Sequence, residues 1–330
     1  MAERRSRPEL LSKVSRESRQ DMYYFIVNVA SRTGKGRKIW RRLEAELKER
    51  KVAYRAFLTK YKGHAGELAE KLTEKYQEEV ISLVVVGGDG TANEVVNGIR
   101  DFAGIRFGYI PTGSGNDLGR GLGLPKDPLA ALKRILESQE LYEMDMGKVY
   151  WGRNLEKSAY FTISSGIGMD AEVCRRVNAA GMKVFLNRLH LGRLSYFIQT
   201  ILTLAELPDV QASLQFDDGE KERIRGLICM AVMNHRCEGG GLPMAPAASD
   251  QDGKLSVCYI HGIKKLRALL LLFTLLRGKH VGFQGIELAD CESCTLWLQE
   301  PLTGHTDGED LGDPVRLRYE CLPGVLKVIK

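Results

Sequence analysis

Residues 87–94 read Gly87-Gly88-Asp89-Gly90-Thr91-Ala92-Asn93-Glu94, directly after the apolar run Ile81-Ser82-Leu83-Val84-Val85-Val86. Such a run is the pattern of a buried central strand. The glycines that follow let backbone approach a ligand closely, because no Cβ intervenes. Asn93 onward reads as the opening of a helix. Strand, glycine turn and helix N-terminus together make an anion site, with amides and a helix dipole aimed at phosphate. An acid inside that turn repels phosphate, so Asp89 makes sense only against a ribose hydroxyl or a Mg²⁺ bridging phosphates.

The arrangement recurs. Phe107-Gly108-Tyr109-Ile110 is strand-like, and Pro111-Thr112-Gly113-Ser114-Gly115-Asn116-Asp117 follows before a helix at Leu118. Ligands of an open parallel sheet bind beyond the carboxyl ends of its strands, so two such loops in succession would line one crevice. A single glycine-rich turn is as often structural as functional; a pair, each with an acid, points to a site. Asp117 keeps a second reading, as the cap of the helix at Leu118. A third small-residue loop, Asn28-Val29-Ala30-Ser31-Arg32-Thr33-Gly34-Lys35-Gly36, follows the first strand and is another nucleotide-contact candidate. It lacks the Gly-x-x-x-x-Gly-Lys-Ser/Thr spacing of a P-loop. Asp307-Gly308 in His305-Thr306-Asp307-Gly308-Glu309 is ordinary hairpin chemistry on spacing alone, and Ser249-Asp250-Gln251-Asp252-Gly253-Lys254 also reads as a turn.

Gly-Gly-Asp-Gly-Thr-x-Asn-Glu followed by Pro-x-Gly-Ser-x-Asn-Asp resembles the signature of the diacylglycerol kinase catalytic domain family. The similarity is strongest to the soluble bacterial lipid kinases of that family, relatives of sphingosine kinases, and extends over nearly the whole chain from about residue 22. The resemblance implies ATP and Mg²⁺ as cofactors and a lipid hydroxyl, most readily that of diacylglycerol, as acceptor. Asn28, Ser31, Thr33, Gly34, Thr59, Gly87, Gly88, Asp89, Gly90, Thr91, Asn93, Glu94, Gly113, Ser114 and Asn116 would hold the nucleotide. Asp89, Asp117 and Asp145 would hold a catalytic Mg²⁺, and Glu309, in the family's Asp-Gly-Glu element, would be the general base. The family also places a structural Mg²⁺ on Asp252 and on backbone oxygens near Ser249 and Lys254. Two departures stand out: Val29 replaces a loop proline, and Lys254 brings a positive charge beside the expected metal.

The elements that must position these groups divide the chain in two. Strand and helix alternate over 23–30, 36–50, 52–58, 65–77, 81–86, 94–98, 107–110 and 129–138, which predicts a parallel, Rossmann-like sheet. After about residue 143 strand-like runs dominate, interrupted by helical stretches at 170–179, 186–206 and 263–276. That predicts an antiparallel, β-rich sandwich. The expected division is a flexible extension at 1–20, an ATP-binding domain at 21–145 with 322–330 packing back on it, and a lipid-substrate domain at 146–321.

Composition narrows the classes. The chain has 330 residues, 44% hydrophobic and 27% charged, with net charge +6. That charge suits acidic ligands or an anionic membrane, is too mild to argue for nucleic acid, and accompanies no nucleic-acid motif. Seven cysteines, odd in number and scattered, together with no apolar leader, point to a cytoplasmic protein, and the resemblance to lipid kinases implies a place at the inner face of the membrane. The longest apolar run, Leu266-Arg267-Ala268-Leu269-Leu270-Leu271-Leu272-Phe273-Thr274-Leu275-Leu276, is too short to span a bilayer. It reads as a buried helix or as a membrane-surface helix. Lys183, Arg188 and Arg193 sit among apolar residues and suit either an anionic lipid surface or an amphipathic core helix. The sequence leaves the oligomeric state open, a homodimer included. A kinase of a soluble acceptor such as NAD, and a non-catalytic lipid-binding regulator, are the rival readings.

Overall fold

The computed structural model describes residues 22–76, 79–179 and 192–330. In the first half, β1 (Tyr23–Val27), β2 (Tyr54–Leu58), β3 (Ile81–Gly87) and β4 (Ile105–Pro111) are parallel in the order β2-β1-β3-β4. All seven residues of β3 are buried, as expected of a central strand covered on both faces. Side chains alternate across it. Leu83 and Val85 join one core with Ala65, Ala69 and Leu72 of α3 (His64–Lys75) and Val95 and Val96 of α4 (Asp89–Gly98). Val84 and Val86 join the other, with Trp40, Leu43 and Leu47 of α2 (Gly36–Glu49) and Leu132 and Ile135 of α6 (Pro128–Glu137). The i, i+3, i+7 spacing of Trp40, Leu43 and Leu47 makes α2 amphipathic. Each of these buried valine, leucine and isoleucine side chains contributes about 1.5–3 kcal/mol. Short helices α1 (Ser31–Gly34) and α5 (Asp117–Gly121) lie in the loops after β1 and β4.

From β1 the chain steps outward to β2, then returns across β1 to β3 and β4. The direction therefore reverses between β1 and β3, and the loops at those strand ends open a crevice there.

The second half is antiparallel. β5 (Leu141–Trp151) pairs with β6 (Lys157–Phe161) and with β15 (Arg316–Ile329). β7 (Ser164–Gly168), β9 (Glu222–Met233), β8 (Val210–Phe216) and β12 (Ser293–Leu298) lead in sequence to β15. β10 (Leu255–His261) and β11 (Ile286–Cys291) branch from β9. The hairpin of β13 (Gly304–Thr306) and β14 (Glu309–Gly312) borders β7. Helices α7 (Met169–Ala179), α8 (Gly192–Glu206) and α9 (Lys265–Leu275) lie among these strands.

β15 joins the halves. Its register against β5 shifts between Leu322 and Leu326, where Pro323 and Gly324 interrupt the ladder. Beyond that point Lys327 and Val328 pair parallel with Arg106 and Phe107 of β4. The strand-like run at 159–164 is two strands rather than one. It breaks because the amides of Thr162, Ile163 and Ser164 all turn to the Asp307 carboxylate.

Candidate active site

The glycine turn after β3 is shorter than its sequence suggests. Gly88 is extended (φ −94°, ψ −178°) and α4 begins at Asp89, not at Asn93. An acid in the first turn suits the positive end of a helix, so the helix starts at the first residue able to use that field. Asp89 therefore points from the helix start into the crevice. Its Oδ2 accepts from the Asp117 amide at 3.1 Å and its Oδ1 from the Leu118 amide at 3.2 Å. The buried Tyr109 hydroxyl donates to Oδ1 at 3.4 Å.

The two glycine loops meet. A Cβ on Gly113 would fall 2.7 Å from the Gly88 Cα, so only glycine allows this approach. Asn116 closes its own loop: its side chain accepts from the Gly113 amide at 2.8 Å and donates to the Gly113 carbonyl at 3.1 Å. Asn28, at the end of β1, donates to Thr91 Oγ1 at 2.9 Å and so bridges the reversal point. Ser31 and the fully buried Thr112 share a hydrogen bond of 3.0 Å. The Thr59 amide extends the β1–β2 ladder to Val27 at 2.9 Å. Thr33 and Gly34 lie in α1.

Asp89 and Asp117 form a pair. Asp117 is 6% exposed, accepts from Arg120, and takes the Gly240 amide of the second half at 2.7 Å. A Cβ built on Gly115 would stand 3.2 Å from Asp89 Oδ2 and 3.5 Å from Asp117 Oδ2, so one small space touches both carboxylates. Burial pushes the Asp89 carboxyl up, and the charges of Asp117 and Asp307 push the same way. A hard divalent cation fits such a place: Mg²⁺ takes one or two carboxylates, water and substrate phosphates rather than an all-protein cage.

The second half supplies the other wall. Asp307 and Gly308 are the central residues of the β13–β14 hairpin, both with positive φ (46° and 84°), the signature of a two-residue turn that favours Asp-Gly. Asp307 is also a pin. It accepts from Ile163 and Ser164 amides, from the Thr162 amide and hydroxyl, and from Asn93 of α4 at 3.1 Å. The turn is thereby fixed against α4, and Glu309 comes over the glycine loop: its Oε1 lies 3.4 Å from where a Cβ on Gly90 would stand. Lys62 holds the other oxygen in a 2.7 Å ion pair, which raises the Lys62 pKa.

Several expected site residues serve elsewhere. Asp145 does not join the Asp89–Asp117 pair. Its oxygens accept the Gly253 and Gly324 amides, each at 2.7 Å, so the carboxylate fastens two loops at the domain junction. Asn93 is committed to Asp307 and to the Tyr160 carbonyl. Glu94 accepts from the Gly63 and Ala65 amides and caps the start of α3. The residues expected to hold a structural Mg²⁺ lie in an irregular loop at 249–254. Asp252 is exposed and its Oδ1 already accepts from the Lys254 amide at 3.0 Å, while Ser249 Oγ accepts from Gln251. Among the described residues no group of three or more His, Cys, Asp or Glu side chains is placed to hold a metal. Lys183 and Arg188 lie outside the described residues, and Arg193 falls within α8.

Sequence reasoning missed Lys62, Tyr109 and the Gly240 amide as neighbours of the site. It also missed a buried cluster behind the hairpin. His305 Nε2 lies 3.2 Å from Asp170 Oδ2, and Glu238 is 7% exposed beside them. Burial, then the Asp170 charge, pushes the Glu238 carboxyl up to about 7. Burial pulls His305 down, but Asp170 outweighs it and holds its pKa above the usual value. Its position two residues before Asp307 was the one available signal.

A parallel nucleotide-type crevice faced by an acid from an antiparallel second domain defines a two-domain phosphotransferase. Comparison with known proteins specifies it. Residues 22–149 match the diacylglycerol kinase catalytic domain, and residues 163–330 match the YegS C-terminal NAD kinase beta sandwich-like domain. YtlR of Bacillus subtilis (strain 168) is 29% identical over 91% of this chain and 97% of its own. A Chromohalobacter salexigens protein named "Probable lipid kinase YegS-like" is 32% identical, with 78% of each chain covered. A diacylglycerol kinase of Mycobacterium tuberculosis (strain ATCC 25618 / H37Rv) is 28% identical, covering 81% of this chain and 82% of its own. In fold, a crystal structure of a diacylglycerol kinase from Bacillus anthracis str. Sterne superposes with TM-score 0.65 at 19% identity, over 95% of this chain and 98% of that one. The chain belongs to the diacylglycerol kinase-like, YegS-like family of lipid kinases, phosphotransferases with an alcohol as acceptor.

Proposed function

We propose that this protein is an ATP- and Mg²⁺-dependent kinase that converts diacylglycerol to phosphatidic acid at a membrane surface. The observation that carries the reading is the placing of Glu309, an acid of the second half, over Gly90 of the phosphate-type loop and across from the Asp89–Asp117 pair. Residues 21–145 with 322–330 form the nucleotide domain and 146–321 the acceptor domain.

The nucleotide lies in the crevice between β1 and β3, its phosphates toward Gly87–Thr91 and Ser114. Asp89 and Asp117 would hold Mg²⁺, which when bound neutralises charge on the phosphates. The acceptor hydroxyl enters between Glu309 and the γ-phosphorus. As its oxygen forms the new P–O bond, its proton passes to Glu309, the β–γ bridging P–O bond breaks, and the electron pair leaves on ADP. Lys62 pairs with Glu309 and holds it in place before the acceptor arrives. Most of the rate comes from positioning, with base catalysis adding to it.

An acceptor screen with labelled ATP tests the reading. Diacylglycerol, sphingosine, ceramide, undecaprenol and NAD are compared, with and without chelator. Label on diacylglycerol that disappears with chelator is expected. Label on NAD instead would assign the protein to a soluble acceptor, and no label on any acceptor would favour a non-catalytic regulator.

A further inference from the structure

Helix α9 is apolar on two opposite faces, one buried and one exposed. Ala268, Leu271 and Leu275 are buried in the core of the antiparallel second half. Leu266 and Leu270, at i and i+4, face solvent and are 72% and 61% exposed. The loop beyond the helix adds Val281 and Phe283, 53% and 42% exposed. Arg267 donates to Gln284 at 3.1 Å and draws that loop against the helix. Lys265 donates to the Ala205 and Leu207 carbonyls at 2.9 and 2.6 Å and fixes α9 to the end of α8. This apolar stripe is thus rigidly presented. Contiguous exposed apolar surface of this kind marks an interaction site.

Charge selects the occupant. Exposed Lys264, Lys265, Arg267, Arg277 and Lys279 flank the stripe, and residues 253–286 contain no Asp or Glu. In a two-fold dimer the same patch meets itself, so this rim would face its own positive charge. An anionic lipid surface satisfies both parts, taking the leucines among acyl chains and the basic rim among headgroups. An eleven-residue helix extends only about 16 Å and can lie in the interface without crossing it. No helix among the described residues is long and apolar enough to cross a membrane.

We infer that α9 and the loop through Phe283 are the surface by which this enzyme lies on an anionic bilayer. The inference rests on the lipid-kinase reading for its purpose but not for its geometry. The test is sedimentation with phosphatidylglycerol vesicles and with phosphatidylcholine vesicles, for the wild-type chain and for the double variant Leu266→Asp, Leu270→Asp. Both side chains are exposed, so the melting temperature should hold. Wild type should sediment with the anionic vesicles, and salt should weaken this. The variant's partition should fall about tenfold or more. Phosphorylation of vesicle-borne diacylglycerol should fall with it, while that of a water-soluble short-chain diacylglycerol stays the same. Unchanged vesicle binding by the variant overturns the inference. So does a wild-type dimer that the variant converts to monomer, which would assign the stripe to a second copy. Vesicle binding that depends on the stripe, without phosphorylation of any diacylglycerol, would sink the proposed activity and leave the docking surface standing.

Discussion

Asp89 and Asp307 are both acids in glycine turns that face one cleft, yet they are built for different work. Asp307 accepts five hydrogen bonds, from Thr162 twice, Ile163, Ser164 and Asn93. Its charge is spent on the protein's own donors. Asp89 has two amides and a long contact to Tyr109, lies beside another buried acid, and shares an open space with it above Gly115. An acid saturated by its own chain is structural. An acid crowded against other acids, with room left between them, has its energy lowered by a cation from outside. Asp145 stands between them, each of its oxygens accepting one loop amide.

The largest expected effect comes from removing the open acid. Asp89→Ala should abolish turnover while circular dichroism and cooperative unfolding persist. Wild-type turnover in that variant would erase the distinction between the two acids. Next comes the base. Glu309→Gln keeps the shape, so nucleotide affinity by calorimetry should hold while turnover falls roughly 10²–10⁴-fold. Loss of affinity instead would place Glu309 at the nucleotide.

Asp307 should show the opposite balance. Asp307→Ala leaves three buried amides and Asn93 without their acceptor, and should cost roughly 3–5 kcal/mol in denaturant unfolding. An unfolding midpoint equal to wild type would mean the pin is dispensable.

The smallest effect concerns pH. The Glu238 carboxyl is raised in the fold to about 7 from an ordinary 4.5, so the unfolded chain releases this proton first. Its contribution to stability is therefore lost as pH rises from about 4.5 to about 7. His305, also raised, loses its contribution in the same direction, from its ordinary 6.5 upward through its folded value. Glu238→Gln should melt above wild type at about pH 8 and converge with it near pH 4.5. Identical slopes of melting temperature against pH would show that Glu238 does not titrate in that range.

The alternation of strands and helices through 129–138 and the two glycine loops were legible in the sequence, because local pattern and turn chemistry dictate them. The start of α4 was misplaced because small residues mask where a helix begins. The strand-like run at 159–164 hid a break, since its cause, Asp307, lies more than 140 residues away. The amides that Asp145 and Glu94 accept were hidden, because motif membership does not say which donors a carboxylate will meet.

By itself the sequence determined which loops turn tightly at the strand ends: glycine spacing after an apolar strand is a local property of the backbone, complete within about ten residues. Only the tertiary structure decided which acids remain open to a ligand, that Lys62 meets Glu309 across the cleft, and which face of α9 is left to solvent. Those outcomes depend on partners from distant segments, and burial or satisfaction by such partners leaves no trace in local pattern.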